Sequence, residues 1–242
     1  MSYLLLLITL FLTACNEKTI HPTQGEIVEA VYGLGTVESE EIYLARFGLP
    51  ASVKEFYVTE GQDVKKGDKI FQIDDGSTFR SPINGRVTEI PFHIKENVPP
   101  QASVMTITNL DKLYLSVALE QHAAMTIKRG LKAEISFEFF RNRKTEGWIE
   151  SFYPQKNEFV AKVKFKEMPE GILPGMTADV AIEVNRKSDA LTIPAKAVSN
   201  GHITLLKDGK KSRVEVEIGL ADLEKVEIIN PQLTAQDEIL MP

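Results

Sequence analysis

The side chains best equipped for chemistry are few and scattered. Cys15 is the only cysteine, so the chain offers no internal disulfide, no second thiolate nucleophile and no multi-thiolate metal site. The four histidines, His21, His93, His122 and His202, lie far apart in sequence, and none stands at a metal-ligand spacing from another. Met105, Met125, Met168, Met176 and Met241 are dispersed rather than clustered, which suits core packing better than copper handling. No Gly-x-Ser-x-Gly elbow and no phosphate-binding loop occurs. The chain holds 34 Asp and Glu residues, which in a β-rich protein read as solvated faces, and no acid/base pair stands out. The expectation is a protein that is not an enzyme and carries no metal or cofactor. A net charge of −6, a pI near 5.4 and scattered Lys and Arg residues exclude the basic face of a nucleic-acid binder.

Cys15 has its own context. The apolar run Leu4 to Leu12 falls short of the roughly 20 residues a spanning helix needs and has the length of a signal-peptide core. It ends in Leu12-Thr13-Ala14-Cys15, which resembles the bacterial lipobox. That resemblance implies cleavage before Cys15, diacylglycerol on its sulfur, and export. Residues 1–14 are therefore expected to be a lipoprotein signal peptide. Residues 15–27, polar and without apolar period, are expected to be a flexible tether.

The elements beyond Ile27 alternate apolar and polar residues in short runs parted by Gly, Pro, Asn and Asp, the pattern of many short half-buried strands. Leu113-Leu115-Val117-Leu119, Ala133-Ile135-Phe137, Val160-Val163-Phe165 and Val214-Val216-Ile218 are examples. Helix is expected only from Glu120 to Lys128, with Ala123, Ala124, Met125 and Ile127 on its apolar face and Gly130 as terminator. No heptad run occurs, so no coiled-coil hairpin is expected. Lys207-Asp208-Gly209-Lys210 reads as a hairpin turn.

An internal repeat organises the middle of the chain. Gly85 to Ile107 aligns with Ala51 to Ile73 at a constant offset of 34 residues, matching Val53 with Val87, Phe56 with Ile90, Val58 with Phe92, Val64 with Val98, Ile70 with Val104 and Ile73 with Ile107. Two such halves should pack face to face, since neither buries its apolar face alone. Where the first copy has Gly61 and Gly67, the second has Lys95 and Gln101, so its turns are expected to be built differently, by Pro99-Pro100.

The repeat, running from Val53 to Ile70 and again from Arg80-Ser81-Pro82-Ile83-Asn84-Gly85-Arg86-Val87, resembles the two halves of a lipoyl or barrel-sandwich hybrid domain. Asn109-Leu110-Asp111-Lys112-Leu113-Tyr114-Leu115, Leu173-Pro174-Gly175-Met176-Thr177-Ala178-Asp179-Val180 and Leu191-Thr192-Ile193-Pro194-Ala195-Lys196-Ala197-Val198 resemble, in order, the opening of the β-barrel domain, its closing segment and the start of the membrane-proximal domain of HlyD-like periplasmic adaptor (membrane fusion) proteins. The resemblance covers about Val31 to Ile239 and implies a mostly β protein: a lipoyl-like domain at 47–109, a β-barrel domain at 110–186 and a membrane-proximal domain at 187–242, with an early strand at 28–46 pairing with the last of these. It implies a non-enzymatic efflux-pump adaptor in the periplasm, anchored by lipid to a membrane, the inner one being expected. Its implied partners are an RND- or ABC-type inner-membrane transporter, an outer-membrane channel and further copies of itself in a ring. A lipid-anchored envelope protein with this fold and no transporter is the alternative.

The family's helical hairpin is absent, because Asp74-Asp75-Gly76-Ser77-Thr78-Phe79 joins the halves directly. A swinging-arm carrier would need a lysine at this tip, and none occurs between Ile70 and Ile94, which argues against covalent lipoate or biotin. The candidate partner and channel-loop residues are Asp74 and Asp75 at the tip, Phe79, and the second-repeat loop Phe92, His93 and Lys95. The loop Phe92-His93-Ile94-Lys95 is the candidate constriction, because Lys95 stands there in place of glycine.

Overall fold

The computed structural model describes residues 18–139, 144–156, 158–229 and 233–241. Cys15 and the proposed signal peptide lie outside them. Among the described residues, Ala30–Val184 form one compact unit, and those up to Glu29 with those from Asn185 onward form the other.

The chain opens with β1 (Thr19–Ile20) and β2 (Thr23–Ser39). The segment expected to be a tether therefore contains β1 and the start of β2. Two well-separated apolar residues make it so: Ile27 is fully buried, and Ile20 packs on the core of the C-terminal residues. A spacing this wide leaves no periodicity to read. The early strand also departs from expectation. Its Gly35–Ser39 portion pairs with Leu113–Val117, not with the C-terminal domain. Its inward positions include Gly33 and Gly35, where an added Cβ would lie 2.8 Å from Val117 and 3.1 Å from Leu115. Glycine carries no hydrophobic signal, so this buried face was hidden.

The repeat folds as eight strands: β3 (Ile42–Ala45), β4 (Ala51–Phe56), β5 (Asp63–Val64), β6 (Lys69–Ile73), β7 (Thr78–Arg80), β8 (Gly85–Glu89), β9 (Asn97–Val98) and β10 (Met105–Thr108). They form two sheets, ordered β3-β10-β8-β5 and β7-β6-β4-β9. The 34-residue offset maps one sheet onto the other. Ala51 faces Val98 as Val64 faces Gly85, Val53 faces Ile73 as Val87 faces Ile107, and Phe71 faces Phe79 as Met105 faces Ala45. The repeat thus reaches back to β3 and β7, beyond the stretch whose apolar positions align. Each sheet takes two strands from each half, so neither half can fold alone. All twelve matched apolar residues line one core: nine are buried, and Phe56, Ile90 and Phe92 are partly buried against them.

The turns of the second copy are not built differently. Lys95 sits at φ 66° and Gln101 at φ 67°, where Gly61 and Gly67 sit at 82° and 97°. Hydrogen bonds repeat as well. Lys95 N–H donates to Val53 O over 2.7 Å and Gly61 N–H to Val87 O over 2.8 Å, while Gln101 N–H donates to Phe47 O and Gly67 N–H to Ser81 O. Shared pairing imposes the left-handed backbone on residues that disfavour it.

The barrel comprises the later part of β2 with β11 (Leu113–Leu119), β12 (Lys132–Ser136), β13 (Lys144–Gln155), β14 (Glu158–Phe165) and the first part of β15 (Thr177–Pro194). The order β12-β13-β14-β11-β2-β15 closes through β12–β15 pairing, giving six strands around a core that includes Leu113, Leu115, Val117, Ile135, Val163 and Val180. The expected helix shrinks to one turn, α1 (Gln121–Ala124). Thr126 bonds back to the Ala123 carbonyl through both its amide and its hydroxyl, a local competitor to helix continuation. Met125 is 85% exposed, whereas Ile127 is buried in the barrel core. Barrel and sandwich meet at Asn109, whose amide side chain donates to Glu41 Oε2 over 2.6 Å and accepts from Asp111 N–H, while its carbonyl receives the Ser39 hydroxyl at 2.6 Å.

The other unit takes Thr23–Glu29 of β2 and the end of β15, together with β16 (His202–Lys207), β17 (Lys210–Glu215), β18 (Ile218–Ala221), β19 (Lys225–Ile228) and β20 (Glu238–Leu240). One sheet is ordered β1-β20-β16-β17, and β15 carries β19 and β18 in the other. They enclose a core containing Ile193, Ile203, Val226 and Ile239. Asp208 and Gly209, at φ 52° and 71°, make the expected hairpin turn with two left-handed residues.

Lys95→Gly should stabilise the protein by about 0.5–1 kcal/mol, because relief of the left-handed penalty outweighs the added freedom of the unfolded chain. Gly61→Lys should shift the urea midpoint in the opposite direction. Asn109→Ala should cost about 0.5–1.5 kcal/mol by removing the side-chain bonds to Glu41 and to the Asp111 amide, read by the same denaturation.

Candidate functional site

Every channel-loop candidate belongs to the sheet β7-β6-β4-β9 or to a loop joined to it. The loop holding Phe92, His93 and Lys95 joins β8 of the sheet β3-β10-β8-β5 to β9. Asp74 and Asp75 occupy the β6–β7 turn, where Gly76 adopts φ 86°. The Asp75 carboxylate accepts the Ser77 N–H at 2.7 Å, and that bond holds its pKa below the usual carboxylate range. Asp74 N–H donates to Ser52 O and Lys95 N–H to Val53 O. The tip and the loop are therefore pinned to consecutive carbonyls of β4, which in a strand point to opposite sides. They flank β4 rather than form one cluster.

Phe79 stacks on Phe71 with centroids 4.5 Å apart and lies 6.1 Å from Phe47. Phe92 packs against the same core. Both aromatics serve the sandwich first and expose only part of their surface. His93 and Lys95 point to solvent. Glu96 accepts the His93 amide at 2.7 Å and lies 3.3 Å from its ring, and the amide bond leads in lowering the Glu96 pKa.

The symmetry-related loop Thr59-Glu60-Gly61-Gln62 provides an internal control. There Gln62 accepts the Thr59 amide as Glu96 accepts that of His93. Glu60 turns back to accept the Ile90 amide at 2.7 Å. Its counterpart Ile94 cannot do so and is 54% exposed. The second loop thus presents an apolar residue beside a lysine in left-handed backbone, where the first presents a tied-down carboxylate beside a glycine. Ile94 lies inside the candidate loop without being singled out by the sequence, although comparing the two copies position by position marks it.

A second charged constellation covers the outside of the barrel. Glu40 receives Lys162 and Lys164, each at 2.5 Å, and Lys162 also reaches Glu150 at 2.8 Å and lies 4.5 Å from the Tyr114 ring centre. The Lys162 bond is the first cause of the lowered Glu40 pKa. Tyr114 is pushed upward by burial, with its hydroxyl donating to Glu38 at 2.5 Å. These groups neutralise one another. Among the described residues no group of three or more His, Cys, Asp or Glu side chains could hold a metal ion, and no helix is long and apolar enough to cross a membrane.

No protein-family model matches the sequence, and no curated protein does. Solved structures do match. The structure is similar to MacA from Actinobacillus actinomycetemcomitans, with a TM-score of 0.80 at 16% identity over 92% of this chain and 99% of that one. It is similar to a MacA-MexA chimera containing the Pseudomonas aeruginosa MexA alpha-hairpin domain, at 0.72 and 18% over 89% and 96%. It is also similar to the membrane fusion protein Spr0693 from Streptococcus pneumoniae R6, at 0.55 and 12% over 64% and 99%. The chain therefore has the fold of membrane fusion, or periplasmic adaptor, proteins, without a helical hairpin between β6 and β7.

Because the folded-state pKa of Glu40 is depressed, its contribution to stability is complete above its unfolded value near 4.5 and disappears as pH falls through the folded value. Glu40→Gln should therefore be less stable than the wild type at pH 7, with the difference closing as pH falls from 7 through and below the ordinary carboxylate range. Urea unfolding of both proteins across that range checks it.

Proposed function

We propose that this chain is the periplasmic adaptor subunit of an export pump, bridging an inner-membrane transporter of RND or ABC type to an outer-membrane channel. It acts as a non-enzymatic scaffold. One observation carries the reading: the fold of membrane fusion proteins extends over nearly the whole chain, 92% of it against MacA at a TM-score of 0.80. A lipid on Cys15 holds it to the inner membrane on the periplasmic side. It carries no cofactor, since the turn between its repeats holds Asp74 and Asp75 and no lysine. Several copies assemble into a ring, and binding of transporter and neighbours stabilises each by mass action.

Within such a ring the loop Phe92 to Lys95 is the contact or constriction segment. Its departure from the related loop at Ile94 and Lys95 supports this, because strain and exposed apolar surface confined to one of two equivalent loops mark a functional position. The tip at Asp74 and Asp75 is too short to reach as a helical hairpin does, so docking on an outer-membrane channel falls to the sandwich itself.

Mild-detergent affinity purification of the tagged protein from native membranes tests the reading. Recovery of an inner-membrane transporter in strong excess over background is the expected result. Recovery of the protein alone, even after crosslinking, would favour a lipid-anchored envelope protein with no transporter partner. Cys15→Ala should move the protein from the membrane fraction to the soluble one or leave it unprocessed, and the intact mass of the mature protein should show N-terminal lipid only. Lys95→Gly should change export in cells while stabilising the isolated protein, and unchanged export would remove Lys95 from the constriction.

A further inference from the structure

The face of β16 and β17 bounds a groove of about 610 Å³, lined by Ser199, Asn200, His202, Thr204, Lys211 and Arg213 beside Ala197, Ile203, Leu240 and Met241. No carboxylate lines it, although the chain carries a net charge of −6. The register places Thr204 opposite Arg213, Leu206 opposite Lys211, and His202 opposite Glu215. Period-two alternation then sets Thr204 and Arg213 on one face while Ile203 turns into the core. Glu215 and Glu238, which faces Leu206, stand along the same strands outside the lining.

The polar groups of the groove are largely unspent. Among the described residues the side chains of Ser199, Asn200, Thr204 and Arg213 form no hydrogen bond or ion pair. The His202 Nδ1–H donates to the Asn200 carbonyl at 2.8 Å, which leaves Nε2 uncommitted. A guanidinium, two hydroxyls, an amide and an imidazole nitrogen converge over an apolar floor. A concave site with a few convergent polar groups is the ordinary form of a ligand pocket. The donors here match a tetrahedral oxyanion, for which a guanidinium offers paired N–H groups. Carboxylates, which would repel such an anion, are excluded from the lining.

We infer that this groove binds the phosphate group of a phosphate ester, with Arg213 as the principal ligand and Thr204, Ser199, Asn200 and His202 completing the cradle. Leu240 and Met241 then offer apolar contact to whatever the phosphate is joined to. The inference does not depend on a transporter partner.

Phosphorus-31 NMR titration of the purified full chain in nonionic detergent tests it, using inorganic phosphate, glycerol 3-phosphate and dihexanoyl phosphatidic acid as separate probes. Saturable binding is expected, weakened at least tenfold by Arg213→Gln and several-fold by Thr204→Val, and unchanged by Lys128→Gln on the barrel. Arg213 is exposed, and circular dichroism would verify that its variant folds. Binding of the short-chain lipid more than tenfold tighter than glycerol 3-phosphate assigns the site to a lipid headgroup, and equal binding assigns it to a soluble phosphate ester. Absence of saturable binding by all three probes, or binding that Arg213→Gln leaves intact, overturns the inference.

Discussion

Every core of this protein is closed by antiparallel pairing between an early strand and a late one. β1 lies on β20, with Thr19 against Leu240; β2 lies between β11 and β15; β3 lies on β10, with Ala45 against Met105. The pairings nest, the outermost in sequence belonging to the C-terminal domain and the innermost to the sandwich. A chain built this way goes out and returns, and no domain is complete until its returning strand arrives. Closing loops this long costs entropy before any contact compensates it, so folding should be slow for a chain of this size. Where the path crosses between sandwich and barrel, Ser39 to Glu41 run beside Asn109 to Lys112. The bonds centred on Asn109 satisfy backbone and side-chain groups that would otherwise be buried without partners.

The sandwich applies the same constraint in miniature and adds symmetry. Because β9 of the second half pairs with β4 of the first, and β5 of the first with β8 of the second, the halves are interlocked and their loops are forced into equivalent geometry. Equivalence turns the differences into information. At Gly67 and Gln101 only the residue changes, and the hydrogen bond does not. At Glu60 and Ile94 a hydrogen-bonded carboxylate is exchanged for an exposed apolar side chain. A scaffold that holds two loops alike while their side chains diverge separates what the fold requires from what a partner requires.

What could be read from the sequence follows from where the signal resides. Strands with one buried face, such as Leu113–Leu119, declare themselves because side chains alternate with period two. The repeat is legible because its matched residues form one core, and Asp208-Gly209 because two left-handed positions demand those residues. The first 20 residues or so of the described chain were not legible. Glycines at 33 and 35 bury backbone without hydrophobicity, and Ile20 and Ile27 are single anchors in polar surroundings. The one-turn helix was overcalled because Ala123 and Ile127 face the barrel core from a turn as well as from a helix. In the candidate site, Lys95 was noticed but its backbone was misjudged, since nothing local to Lys95 reports the β4 carbonyl that holds it. The groove over β16 and β17 was invisible, because it joins residues near 200 to others near 213 and 240 through strand register alone.

The electrostatics divide along similar lines. On the barrel exterior, acids and bases consume one another: Lys162 and Lys164 share Glu40, and Lys166 pairs with Glu146. In the C-terminal domain, Lys187 closes on the buried Glu227, whose other oxygen accepts the Leu220 amide and whose pKa falls chiefly through the lysine. Not every cation is consumed in this way, and many lysines and arginines stand outside these ion pairs. Arg213 is one of them, and it faces an apolar floor with uncommitted hydroxyls beside it. A surface arginine surrounded by carboxylates would be a solubility feature. Glu215 shares the face of Arg213, opposite His202, but lies outside the lining of the groove, so the guanidinium keeps its charge available for an anion.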